Sequence, residues 1–422
     1  MLDADYINRI SEGAEEVAGD LHDEIIKAIV RRITARLGQG EDFTLTPTDK
    51  YQIEVLQEAG YLLEDIQKEI AKKTKTQRVV VARAFESAGV ESVRLDAEVY
   101  RKAGISVEAL AQSPLVIRVL QRNYEATMGL WDNYTRTTAD SALKLFVSEC
   151  NKAYNTVITG AITPTQAYYS AVERIAEQGV YVTYPKKDAD GNPIPGTVGQ
   201  IDTIETATAR AIRTGIAQGA GQATATRALE NGVTCFLVSK HMGARPTHEK
   251  WQGKPYWVDW EELARRIPLP AMDEYPKATE EEKANLQEFC KTTDIGTVTG
   301  LTGANCRHNY GPFFYGLSVN VYDDINWPND KGLYEKEQRQ RTLERRIRHT
   351  KRAIMGYTQA LEDVTDEEAR QALDKTISKK AQLLYKQNKA YQEYCQQNNL
   401  KPQEQRLKVA GWTAEEARKA GI

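Results

Sequence analysis

The sequence is short of cysteine for its length: five in 422 residues, odd in number and scattered at Cys150, Cys235, Cys290, Cys306 and Cys395. That excludes a disulfide framework, and reduced thiols are expected. No apolar run approaches membrane-spanning length, and the opening MLDADYINRISEGAEEV has neither the basic nor the apolar region of a secretory signal. The reading therefore expects a soluble, unexported chain with no membrane partner. Global charge is also lacking, since 56 Lys and Arg against 59 Asp and Glu leave only −3. Any basic surface must be local. HExxH, GxSxG, P-loop and GxGxxG patterns are missing, and Gly296, Gly300 and Gly303 lead into no GK[ST]. The common metalloprotease, hydrolase and nucleotide-binding classes thus have no foothold, and the glycines read as loop residues.

What is present is mostly helical periodicity, on a chain long enough for two to four domains. Leu21, Ile25, Ile29 and Ile33 recur at helical spacing until Gly38 and Gly40, and Thr46 with Pro47 starts a second helix through Ile53, Leu56 and Leu62. The polar run KKTKTQ is read as the end of that helix, with a third from about Val79. From Leu115 to about Gln178 the pattern is helical again, interrupted near Gly160 and Pro164. YVTYP followed by KKDADGNPIPGT predicts a small β-hairpin near 180–200, and the Ala, Thr and Gly positions of 204–229 predict a tightly packed helix. After Asn231-Gly232, VTCFLVS reads as a buried strand, and the next eighty residues hold three of the six Trp, six of the fourteen Pro and three of the five His.

From about Lys331 the composition turns to Lys, Arg, Gln and Glu. Leu343, Ile347, Thr350, Ile354, Tyr357 and Leu361 form one heptad-like seam, and Leu373, Ile377, Leu384 and Tyr391 a second. An antiparallel helical hairpin follows, its second arm capped by Thr365 with Glu368, and Thr413 with Glu416 caps a last short helix. The fold expected is mainly α with a central α+β domain, an elongated multi-domain chain ending in a long helical hairpin. Its domains are a helical region 1–125, a helical part 126–230, an α+β domain 231–325 and a basic hairpin with C-terminal helix at 331–422. Residues 331–422 carry 20 Lys and Arg against 13 Asp and Glu, or +7, while the preceding 330 residues, with 36 against 46, carry −10. Arg341, Arg345, Arg348 and Arg352 fall at i, i+4, i+7 and i+11, one stripe of a helix suited to a polyanion, or to acids of the same chain.

Chemistry concentrates in two peptides. SKHMGARPTHEKWQGKPYW holds His241, Arg245, His248, Trp251, Gln252 and Gly253, and GLTGANCRHNYGPFFYG holds Asn305, Cys306, Arg307, His308 and Pro312. Cys306 and His308 at i and i+2 share one side of an extended segment, and His241 and His248 share a loop. A Cys-His-His-His site for zinc is therefore stereochemically open, with Cys235 a secondary candidate. The competing reading is a hydrogen-bonded lock in which the two peptides pin each other. No orienting Asp or oxyanion site is evident, so no catalytic residue is assigned.

The same peptides carry a resemblance. HMGARPTHEKWQGKPY followed by GANCRHNYGPFFYG resembles the paired signature of the phage minor capsid protein 2 family, a branch of the Mu F-like minor head proteins of tailed bacteriophages. WDNYTRTTADSALKLFVSECNKAY before it and RTLERRIRHTKR after it resemble the flanking helices of that family. The resemblance implies a minor structural protein of the virion head, associated with the portal vertex. It would act in head assembly or in genome packaging and delivery, and be present in the host cytoplasm during assembly. Portal and major capsid proteins are the implied partners, with packaged DNA as a further one. It implies no enzyme, and its relatives' pattern points to His241, His248, Cys306 and His308. Two alternatives stand beside it: a metal-dependent nuclease or toxin-like effector carried in the virion, and a nonspecific DNA-binding head protein using the arginine stripe.

Overall fold

The computed structural model describes all residues except 1, 40–42, 44–45, 107–112, 187, 189–193, 195–196, 198, 324–331, 420 and 422. The chain is mainly helical. α1 (Ala4–Leu37), α2 (Thr48–Lys102), α3 (Pro114–Ile158), α4 (Pro164–Gln178) and α5 (Ile204–Glu230) fill its first half. Pro114 opens α3 and Pro164 opens α4, each at the position where a missing N–H costs nothing. Thr163 and Gln166 close a reciprocal capping box on α4. The expected break at KKTKTQ is not there: α2 runs uninterrupted for 55 residues. Lys, Thr and Gln carry neither the rigid ring of proline nor the freedom of glycine, so polarity alone does not end a helix.

The helices gather into two compact units. The first comprises Met1–Ala14, Gln77–Trp131 and Thr208–Glu335, the second Glu15–Thr76, Asp132–Ala207 and Lys336–Ile422.

In the first unit the small residues of α5 permit close approach. A Cβ at Gly215 would lie 2.3 Å from Thr127 Oγ1 of α3, and one at Gly219 would lie 3.2 Å from Phe85 of α2. Beside these helices stands a sheet of four short strands in the order β5 (Gln287–Glu288), β4 (Pro255–Trp257), β3 (Cys235–Val238), β6 (Tyr310–Phe313). β3 pairs antiparallel with both β4 and β6. Alternation along β3 sends Phe236 and Val238 into a core with Tyr256, Trp260, Phe289, Tyr310 and Leu229 of α5, and Cys235 and Leu237 to the other face with Phe313 and Trp257. The register brings Leu237 opposite Pro255 and Val238 opposite Tyr310. The segment leaving β3 and the segment entering β6 therefore emerge at the same end of the sheet.

In the second unit, β1 (Val182–Thr183) and β2 (Ile201–Asp202) pair antiparallel, and most of the turn chemistry between them lies outside the described residues. α10 (Leu333–Asp363) and α11 (Glu367–Gln397) form the hairpin, each arm about 46 Å long. Ile347, Thr350, Ile354 and Tyr357 of one seam and Leu373, Ile377, Leu384 and Tyr391 of the other are buried. The arms run antiparallel, since Gln340 Nε2 donates to Cys395 Sγ at 3.4 Å and the Tyr391 hydroxyl to Glu344 at 3.3 Å. The N-cap of α11 is Asp366, which accepts from Ala369 N at 2.7 Å, one residue beyond the expected Thr365. A short α12 (Ala414–Lys419) follows, with Thr413 accepting from Glu416 N.

Candidate metal centre and the arginine stripe

The β3–β4 connection and the approach to β6 deliver the two signature peptides to one place. The first turns through Gly243, at φ +67°, into α6 (Pro246–Glu249), which carries His248 on a short helix rather than a loop. The second winds tightly before β6. A Cβ at Gly300 would meet Asp294 O at 1.9 Å, and Thr302 and Asn305 both take left-handed backbone at φ 57°. A β-branched residue in that region stores strain, which the surrounding bonds must hold.

Three side chains converge there. His248 Nδ1 and His308 Nδ1 lie 3.4 Å apart, and Cys306 Sγ is 3.8 Å from the first and 3.7 Å from the second. Metal–ligand lengths of about 2.0–2.1 Å for Zn–N and 2.3 Å for Zn–S imply tetrahedral edges of roughly 3.4 Å for N–N and 3.6 Å for N–S. The three edges match that triangle within 0.2 Å.

The outer partners fix which nitrogens face inward. His248 Nε2 donates to the Thr299 carbonyl at 2.8 Å. His308 Nε2 donates at 3.0 Å to Gln252 Oε1, an oxygen identified by the His241 N–H that it also accepts at 3.1 Å. Both Nδ1 atoms are therefore lone-pair nitrogens aimed at each other, and a single thiol proton can serve only one of them. Such an array of acceptors suits a cation, and imidazoles tethered through the far nitrogen are the usual support of a metal site. Burial holds His308 down to about 2, with His241 and His248 adding to the effect, and burial lowers His248 as well. Burial pushes the Cys306 thiol up, against the pull of the His308 and Thr302 backbone and the nearby Arg245 and Arg307. The Cys306 sulfur accepts the His308 N–H at 3.4 Å.

The remaining signature residues surround this triad. Arg245 donates across to the Ala304 carbonyl at 2.8 Å, and Arg307 donates back to the Gly243 carbonyl at 2.8 Å, so each peptide clasps the other. Trp251, buried, packs 4.4 Å from the His248 ring and 4.8 Å from that of His308. Gly253 takes φ +70°, where a side chain would press on Lys240. Asn305 adjoins Cys306 in left-handed backbone, and Pro312 lies away from the loops, in edge strand β6 opposite Phe236. His241 packs against His308 with ring centres 4.1 Å apart and planes tilted by 32°, and its Nδ1 bonds the Met242 carbonyl at 2.8 Å. Cys235 is not brought to the triad: it sits on the other face of the sheet, its thiol 3.4 Å from Glu282. Sequence reading missed the Thr299 carbonyl, because a backbone acceptor leaves no mark in the residue pattern.

The arginine stripe divides. Arg352 donates to Asp23 at 2.9 Å and to Glu205 at 2.5 Å, while Arg348 lies 3.9 Å from Glu205 and donates to the Arg406 carbonyl. Burial alone would raise Asp23 and Glu205, but Arg352 together with His22 and the Gly411 N–H at Asp23, and together with Arg348 at Glu205, holds both carboxyls below their ordinary range. These two arginines face inward, against their expected use on a polyanion. Their acidic partners lie more than a hundred residues away in sequence, beyond the reach of helical spacing. Arg341 is half-buried beside Glu337, and Arg345 is exposed, donating to Thr342.

No curated protein sequence and no solved structure matches the chain. The family model described as Phage minor capsid protein 2 matches residues 2–386, which takes in both peptides, the helices before them and most of the hairpin after them. By that match, the chain belongs to the phage minor capsid protein 2 family.

Proposed function

We propose that this protein is a minor structural component of a tailed-phage head, associated with the portal vertex and acting by contact in head assembly or in genome packaging and delivery. The observation that carries the reading is the family match across residues 2–386. Portal and major capsid proteins are its proposed partners, and the host cytoplasm its place before assembly. Among the described residues no helix is long and apolar enough to cross a membrane. Within this role the triad of His248, Cys306 and His308 holds a zinc ion that clamps the two signature peptides together. The metal would supply a cross-link between loops that are otherwise joined by hydrogen bonds and ring packing.

The test is quantitative mass spectrometry of purified virions, combined with cross-linking. The expected result is a few copies per head, cross-linked to portal subunits. Absence from virions, or a copy number like that of the major coat protein, would overturn the reading.

One observation favours the metal-dependent nuclease instead: three ligand atoms converge rather than four, as in catalytic zinc sites. Against it, no Asp or Glu joins the cluster among the described residues, so no carboxylate stands there as acid or base. The DNA-binding alternative would now rest on exposed cations such as Arg345 and Arg346 of α10 and Lys375, Lys379 and Lys386 of α11. It calls for steep salt dependence of DNA binding.

A further inference from the structure

We infer that the proposed metal is held by three protein atoms only, with His241 outside the coordination sphere and the fourth position open to an exchangeable donor, water or a small anion. The inference rests on the metal centre proposed above and concerns its coordination.

Ring geometry separates the histidines. An imidazole bound to zinc has its ring centre about 3.2 Å from the ion, so two imidazoles on one tetrahedral ion have centres roughly 5.2 Å apart. His248 and His308 meet that condition at 5.3 Å, with planes inclined at 58°. His241 and His308 do not: their ring centres are only 4.1 Å apart, with planes tilted by 32°, too close for two imidazoles on one ion. Among the described residues the ligand atoms that converge are those of His248, Cys306 and His308, and His241 is not one of them. His241 is also held in place, its N–H on Gln252 Oε1 and its Nδ1 on the Met242 carbonyl. Its role is to cover the face of His308, as Trp251 packs against both ligand rings.

The surroundings select the class of donor. A divalent ion with one thiolate leaves a charge of +1, and two further cations, Arg245 and Arg307, are fixed in the same two peptides by the Ala304 and Gly243 carbonyls. A site so charged favours a small anion over a cationic or bulky neutral donor.

Cobalt(II) added to the full-length protein reports the coordination directly, through its visible ligand-field bands and its thiolate charge-transfer band, with azide as the exogenous anion. His241→Phe keeps a ring on His308 but has no ligand atom. The expected result is that wild type and H241F each bind one cobalt, with affinities within about threefold, and that azide shifts the ligand-field bands of both. His308→Ala should lower cobalt affinity by about 100-fold or more and abolish the charge-transfer band. Loss of binding in H241F as severe as in H308A, or a spectrum indifferent to azide, would overturn the open position while leaving the metal centre standing. Failure of the wild type to bind cobalt would remove the metal centre itself, and this inference with it.

Discussion

Asp96 sits in the first unit with 1% of its surface exposed, one carboxylate oxygen accepting from the Thr224 hydroxyl and the other without a hydrogen bond. Burial pushes it up to about 6, while Thr224 and the buried Arg227 pull the other way. A carboxyl raised in the folded state stabilises the fold most when protonated. The contribution is full below about pH 4 and is lost as pH rises through about 6. Asp96→Asn should therefore raise the melting temperature by a few degrees at pH 7.5 and give no gain at pH 4, as read by thermal melts across that range. Equal melting of the two proteins at pH 7.5 would show that the folded state bears no penalty there. Nothing in the sequence around Asp96 distinguishes it from a solvated helix carboxylate. His248, Cys306 and His308 were legible because histidine and cysteine are rare in this chain and crowd into two peptides. His241 carries the same signal, and its separation from the other three in the inference above rests on a ring distance that the sequence does not display.

At the scale of elements, the legible features were those that proline, glycine and seam periodicity mark: the starts of α3 and α4, the end of α1 and the two arms of the hairpin. The run KKTKTQ was misread because its residues are polar, and polarity reports solvent exposure rather than a helix end. Lys75 lies exposed within that run, inside α2. Lys75→Pro should cost about 3 kcal/mol, since it removes a backbone hydrogen bond and clashes with the preceding turn. Far-UV circular dichroism during thermal unfolding measures this. A variant as stable and as helical as the wild type would mean that the chain bends freely at that point. The cap of α11 was missed by one residue for a simpler reason: Thr365 and Asp366 are both good caps, and local sequence does not rank them.

At the scale of the molecule, each compact unit gathers three separate stretches of chain. Periodicity reads each stretch but carries no information on which stretches assemble. The same limit explains the arginine stripe: the spacing of Arg348 and Arg352 is visible, whereas Asp23 and Glu205 become their partners only through the fold. The family, by contrast, was legible from the order of a few short blocks, and the match over residues 2–386 bears it out. The central physical claim is that the two signature peptides are joined by a metal. Its most direct test is elemental analysis of the purified protein, with thermal melting before and after a strong chelator. The account expects one zinc per chain, removed by the chelator together with a large fall in melting temperature, because binding and folding are coupled. Protein without metal, melting identically with and without chelator, would contradict it and leave the peptides held by their hydrogen bonds and ring packing.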